Sequence, residues 1–236
     1  MPLGFNRWAY RAKRRTFRRM VRSWFGSAPP GRVLDVGSGT GFYVEQWRAL
    51  GARSITATDL TGAALASLRE RFPEIEVARL DIGEVLESDR SGTVDAVSAM
   101  DVLYHIVDDA RYRRAFANMF ALLKPGGLLV FSDFLASTRK DKRHVVARTR
   151  AETEDAARGA GFELRRRAPW LVLMNSPLKS RSRSHTRFFE RLTTELRAHP
   201  RLGGAAGAAL YPAEIVLSRL VRRAPSLEIV LCRKPD

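Results

Sequence analysis

Nine residues, Val33-Leu34-Asp35-Val36-Gly37-Ser38-Gly39-Thr40-Gly41, constrain the fold more than any other stretch of the chain. An apolar run of strand length passes into a turn with glycine at every second position, and the turn opens a helix. Glycine lets the backbone approach a ligand closely, and the unpaired amides of a helix start attract negative charge. A dinucleotide site would require a third glycine in the pattern G-x-G-x-x-G, and Phe42 stands at that position. Eighteen residues beyond Gly41, Asp59 ends a second strand, where a carboxylate can accept hydrogen bonds from both hydroxyls of a ribose. Asp81 ends a third strand.

Around this motif the chain alternates β-branched runs with helical patterns, the signature of a parallel sheet covered by helices on both faces. Strands are expected at Arg32 to Val36, Ser54 to Thr58, Glu76 to Leu80, Val94 to Met100, Gly127 to Ser132, Glu163 to Met174 and Leu227 to Cys232. Thr61 and the pair Asp108-Asp109 stand where helices open, Pro73 and Lys124-Pro125-Gly126-Gly127 where they end, and a further helix is expected around Thr149 to Gly159. The expected fold is α/β, Rossmann-like and doubly wound. It has a seven-stranded, mostly parallel sheet, a helical N-terminal extension and a helical insertion before the last strand.

With 236 residues the chain is expected to be one domain with embellishments. Residues 1–30 read as a basic amphipathic helix, with Tyr10, Phe17, Met20, Val21 and Trp24 on one side and Arg11, Arg14, Arg15, Arg18 and Arg22 on the other. Residues 31–135 form the core. Residues 175–225 are an insertion too long for an ordinary connection, and it is expected to act as a lid over the site. One of its helices carries Phe188, Phe189, Leu192 and Leu196. A second is expected to begin at Pro212 and carry Val216, Leu217 and Leu220, with Gly203, Gly204 and Gly207 as a loose joint between them.

Charge follows the same division. Residues 1–32 hold nine basic and no acidic residues, 33–135 ten basic and fifteen acidic, and 136–236 twenty-two basic and ten acidic. An acidic middle with basic flanks points to an anionic partner, although an arginine excess also arises from GC-rich codons. No apolar run approaches the ~18 residues of a membrane span, and the single Cys232 permits no internal disulfide. A cytoplasmic setting is the expectation. His144, His185 and His199 show no ligand spacing, and Asp101 with Asp133 lacks a following asparagine, so no metal is expected.

The glycine turn, Asp59, Asp81, the run Asp101-Val102-Leu103-Tyr104-His105 and the phrase Leu123-Lys124-Pro125-Gly126-Gly127 together resemble the class I S-adenosylmethionine-dependent methyltransferases of the small-molecule, type 11/12-like group. The resemblance covers residues 32 to 135. It implies S-adenosylmethionine as cofactor, with Asp35, Gly37, Ser38, Gly39 and Gly41 around its methionine portion. It further implies Asp59 on the ribose, Leu60 against the adenine, Asp81 at the adenine amino group with Ile82 beside it, and Met100 at the end of the fourth strand. His105 is then the candidate catalytic residue, as a general base or as a pocket support. Tyr104, Trp170, Phe188, Phe189 and Tyr211 are candidate acceptor contacts. Asn175-Ser176-Pro177-Leu178 is a poor match to the N-P-P-aromatic tetrad of enzymes acting on amide or base nitrogens, because it follows the sixth strand rather than the fourth.

The expected activity is methyl transfer to a small molecule, at oxygen, with an anionic acceptor favoured by Arg11, Arg15, Arg18, Arg181, Arg183 and Arg187. Alternatives are a membrane lipid or isoprenoid acceptor, with Trp8 and Trp24 near the headgroups, an RNA or protein acceptor, and a non-enzymatic cofactor-binding regulator. No nucleic-acid module is recognisable, and the oligomeric state is open.

Overall fold

The computed structural model of the chain describes residues 1–85, 91–177, 182–222 and 224–236. It divides into two compact units, Met20–Arg166 with Val230–Asp236, and Met1–Arg19 with Arg167–Ile229. Leu178 and Arg181 lie outside the described residues. Helix α1 (Leu3–Phe25) is followed by β1 (Arg32–Val36), α2 (Phe42–Ala49), β2 (Ser54–Asp59), α3 (Gly62–Arg71), β3 (Glu76–Arg79), β4 (Val94–Ala99), α4 (Asp109–Leu122) and β5 (Leu123–Asp133). An antiparallel hairpin, β6 (Lys140–Lys142) and β7 (Val145–Ala147), precedes α5 (Arg150–Gly159), β8 (Glu163–Pro169), α6 (Arg183–Ala198), α7 (Gly203–Leu220) and β9 (Glu228–Arg233).

Seven strands form one sheet in the order β3-β2-β1-β4-β5-β9-β8, and β1 with β2, β1 with β4, β2 with β3 and β4 with β5 pair in parallel. The doubly wound fold read from the sequence is the fold observed. Strand β1 pairs with β2 on one side and β4 on the other, so the winding reverses there and leaves a crevice at the carboxyl ends of the two strands. Caps start the helices where expected. Thr61 accepts from the Ala64 amide, Asp108 from the Arg111 amide, and Thr149 forms a reciprocal capping box with Glu152. Behind the crevice, Leu34, Val36, Val97, Leu103, Phe116 and Phe131 belong to one buried core. Each such side chain contributes about 1.5–3 kcal/mol by leaving water.

Several expectations are corrected. The turn expected at Lys124 to Gly127 is a bulge inside β5, where Val94 pairs with Leu123 but Ala96 with Leu128. Pro125 has no amide to donate, and Gly126 takes φ 73°, so the four residues loop out of the ladder. The sixth strand stops at Pro169 rather than Met174. The amides of Val172, Leu173 and Met174 turn to the buried Glu214 carboxylate, at 2.7, 2.8 and 2.9 Å. Burial raises the pKa of Glu214 although these three amides favour its ionised form. The β6–β7 hairpin carries no alternating pattern and was not anticipated.

The smaller unit packs Phe5, Ala9, Ala12, Leu171, Met174 and Leu196 together, with Trp8, Leu192, Leu210 and Tyr211 against them. Its second long helix begins at Gly203, not Pro212, and Pro212 lies inside it. The glycines expected to form a loose joint are helical because α1 crosses there. A Cβ on Gly4 would stand 2.7 Å from the Gly204 nitrogen, and one on Gly207 2.6 Å from the Trp8 ring. Contact between the helices outweighs the roughly 1 kcal/mol each glycine costs a helix. On α1, Tyr10 was expected on the apolar side and is 48% exposed instead. Among the described residues, no helix is long and apolar enough to cross a membrane.

Candidate active site

Within the larger unit, the crevice opens into a cavity of about 600 Å³. Gly37, Asp59, Leu60, Asp81, Ile82 and His105, all singled out from the sequence, line it. A larger cavity of about 950 Å³ runs along β1, β2 and β3. It holds Asp81 but neither the glycine turn nor His105, so the smaller cavity is the one where the candidate chemistry converges.

The glycine turn is shaped by its neighbours. Gly37 (φ 66°) and Gly41 (φ 80°) adopt the left-handed conformation, and a Cβ there would lie 2.4 Å from Val102 and 2.3 Å from Phe72. Gly39 is different, since a Cβ there would meet only the Gly37 carbonyl, at 4.0 Å. Behind the turn, the Trp47 indole donates to Ser98 Oγ at 2.8 Å, and that hydroxyl donates to Asp35 Oδ1. Asp35 is buried, and its Oδ2 meets no donor among the described residues. Burial pushes this carboxyl up to about 6; the Ser98 hydrogen bond and the nearby Ser38 hydroxyl, which donates to the Asp35 backbone carbonyl at 3.0 Å, pull it down, and the Asp59 charge adds a smaller upward push. Ser38 and Met100 are themselves buried and are not among the cavity-lining residues.

Asp59 ties the turn to the end of β2. Its Oδ2 accepts from the Gly39 amide at 3.0 Å, and its Oδ1 from the amide and hydroxyl of Thr61, both at 2.9 Å. Three of about four acceptor positions are thus taken by the protein, which leaves room for one further hydroxyl rather than two. Asp81 accepts from the Gly83 amide at 2.9 Å and from the Arg111 guanidinium at 2.6 Å. Arg111 was not singled out from the sequence. It lines the cavity from the first turn of α4 and also reaches Glu84 at 3.2 Å.

His105 ends a 3-10 turn, Leu103–His105, and its Nδ1 lies 3.0 Å from the His144 carbonyl in the β6–β7 hairpin. A carbonyl can only accept, so Nδ1 carries the proton, and in the neutral ring Nε2 keeps its lone pair. That is the tautomer a general base requires. The surrounding loops are fixed by buried Arg148, which donates to Asp109 Oδ1 at 2.7 Å and to the Ile106 carbonyl at 2.9 Å, and lies 3.7 Å over the Tyr112 ring. Burial raises the Asp109 pKa, but hydrogen bonds and charge from Arg139 and Arg148 outweigh it and hold the carboxyl below its usual range. The Tyr104 ring lies tilted against its neighbours, 4.5 Å from His105 and 5.1 Å from Phe134. Asp101, read from the sequence as the start of the run to His105 and weighed as a metal ligand, takes the unusual φ of 61° and lines the cavity. No group of three or more His, Cys, Asp or Glu among the described residues could hold a metal.

The remaining candidates belong to the smaller unit. Trp170 is fully buried, with the Lys13 ammonium 5.5 Å from its ring. Tyr211 packs 5.2 Å from Trp8, and Phe188 is 39% exposed on α6.

Residues 33–127 match the family model described as a methyltransferase domain. The match covers 95 of the 236 residues, the wound core of the larger unit. S-adenosylmethionine is the cofactor such a domain implies, and the residues present fit it: a buried acceptor atom without a donor on Asp35, an open approach at Gly39, and carboxylates at the ends of β2 and β3. Ubiquinone biosynthesis O-methyltransferase of Albidiferax ferrireducens is 34% identical over 126 residues, which is 51% of this chain and 47% of that protein. The match therefore spans about half of the relative's length. Among solved structures, the [4+2]-cyclase SpnF superposes with a TM-score of 0.61 at 22% identity, over 93% of this chain and 81% of its own. The 1,6-didemethyltoxoflavin-N1-methyltransferase of Burkholderia thailandensis gives 0.58 at 19%, over 95% and 79%. These likenesses show the fold alone.

Proposed function

We propose that the protein transfers the methyl group of S-adenosylmethionine to an oxygen atom of a small molecule. The observation that carries this reading is the meeting of Asp59, Asp81 and His105 on one cavity, with the His105 proton held on Nδ1. The name of the curated relative supports oxygen as the acceptor atom. Bound there, the cofactor supplies a methyl group on a positively charged sulfur, a good leaving group. The glycine turn and Asp35 hold the amino-acid end, Asp59 a ribose hydroxyl, and Asp81 with Leu60 and Ile82 the adenine. His105 Nε2 takes the proton of an acceptor hydroxyl, and an acceptor that is already an anion needs only alignment.

The fold alone does not decide the chemistry, since a [4+2]-cyclase shares it. Incubation with methyl-labelled cofactor and a catechol acceptor decides it. Label in the extracted catechol, with an equal amount of S-adenosylhomocysteine, is the expected result. Tight cofactor binding with no label transferred to the catechol or to a cell extract would remove the transferase reading.

Asp59 supplies a separate test. Asp59→Ala should cost about 1.5–3 kcal/mol of cofactor affinity, the range for one hydrogen bond to a charged group, or roughly ten- to a hundredfold. Calorimetry measures this directly. An unchanged affinity would place the ribose elsewhere.

A further inference from the structure

The smaller unit holds nearly all of the protein's excess charge. Its residues 1–19 and 167–229 contain eighteen Lys or Arg and four Asp or Glu, a net +14 of the chain's +16. Helix α7 in the same unit is uncharged from Leu202 to Ser218 except for Glu214, whose carboxylate is buried on the amides of Val172 to Met174. Every exposed residue over that stretch is apolar. Leu202, Ala205, Ala209, Pro212, Val216 and Leu220 recur at helical spacing on the face opposite Gly203, Gly207 and Ser218. Leu202, Val216 and Leu220 are 56%, 53% and 71% exposed. The stripe runs about 27 Å, the length of eighteen helical residues. Arg201 and Arg219 bracket it, Arg222 follows, and Arg7, Arg14 and Arg15 are exposed on α1, the helix that packs on α7.

We propose that this face of α7 docks on an anionic lipid bilayer, with its apolar stripe in the interface and the arginines at the level of the phosphates. An apolar stripe flanked by basic residues is the pattern of helices that lie in the membrane plane, and anionic lipid attracts such arginines. A second copy of the chain is a poorer occupant, because two units of +14 repel. Nucleic acid satisfies the arginines and leaves the apolar stripe in water. The anchor is α7 and not Trp8, one of the two tryptophans expected near the headgroups, since Trp8 is packed against Gly207 and Tyr211. This assignment gives the basic flank a lipid surface in place of the anionic acceptor, and it is independent of the methyl-transfer reading.

Flotation of the full chain with phosphatidylcholine vesicles, alone or with about a third phosphatidylglycerol, tests it. Binding to the mixed vesicles and not the neutral ones, weakened by salt, is the expected result. Val216→Glu with Leu220→Glu should lower the bound fraction about tenfold, and Arg201→Glu with Arg219→Glu should do likewise, both with unchanged melting temperature and cofactor affinity. Equal binding to both vesicle types, no binding to either, or a glutamate pair that still floats would each overturn the proposal. So would a dimer in sedimentation that the Val216-Leu220 pair dissociates, or co-purifying nucleic acid that competes the protein off vesicles. Cofactor affinity and label transfer are read on the same samples, so failure of the catalytic reading shows itself separately.

Discussion

Replacing His105 with alanine should lower kcat by roughly a hundredfold to ten-thousandfold for a neutral hydroxyl acceptor, the range a positioned base contributes. Cofactor affinity should stay within a factor of about two, because the residues assigned to the cofactor are held without His105: Asp59 by Gly39 and Thr61, Asp81 by Gly83 and Arg111. The split between the two measurements carries the argument. If the imidazole merely filled space beneath Tyr104, rate and cofactor affinity should fall together, and His105→Gln should restore both. Stopped assays with labelled cofactor give the rate, and calorimetry gives the affinity. An acceptor that is an anion before it binds should be almost indifferent to the substitution, since no proton then has to leave. Full activity on a neutral hydroxyl would remove His105 from the mechanism.

The second large effect is on stability and depends on pH. Asp35 has its pKa pushed from 3.8 to about 6 in the folded chain. A raised folded value means that the folded state binds the proton more tightly than the unfolded state does. Between about pH 4 and 6 the folded protein keeps a proton that the unfolded chain has released, so stability from this group falls as pH rises through that window. At 1.36 kcal/mol per pKa unit the loss is about 3 kcal/mol, complete above the folded value. Asp35→Asn cannot titrate. The stability of Asp35→Asn relative to the parent should therefore rise by about 3 kcal/mol between pH 3 and pH 7, as urea unfolding at the two pH values would show. The same variant should bind the cofactor more weakly, since the acceptor atom without a donor is lost. A difference that does not move with pH would mean that Asp35 titrates in its ordinary range when folded.

Features that depend on neighbouring residues in sequence were legible. Strand β1 occupies the residues read from the apolar run, and the Thr61 and Asp108 caps lie where short polar side chains precede helical patterns. Asp59 and Asp81 could be placed because strand ends in a wound sheet fall on one side. What escaped depends on contacts between distant segments. Arg111 is one of many arginines, and nothing near it in sequence marks its ion pair with Asp81, thirty residues away. The His144 carbonyl that sets the His105 tautomer belongs to a hairpin whose β6 residues, Lys-Asp-Lys, are all exposed. Gly203, Gly204 and Gly207 were misread for a similar reason. Glycine breaks a helix in solution but permits close approach of two helices, and only the position of α1 distinguishes the two.

The order of strands in the sheet bears on how the protein is made. Strand β9 is the last of the seven to leave the ribosome, yet it lies between β5 and β8 and not at an edge. Until residues 228–233 emerge, β5 and β8 each present a row of unpaired backbone groups, the kind of edge on which chains pair wrongly with one another. The smaller unit also waits, because Phe5, Ala9 and Ala12 find their partners only at Leu171, Met174 and Leu196. Synthesis therefore holds the sheet open between β5 and β8 until residues 228–233 are out. A nascent chain stalled before β9 is a template for aggregation, and the arginine-rich segments already exposed on it supply the like-charge repulsion that keeps such chains apart.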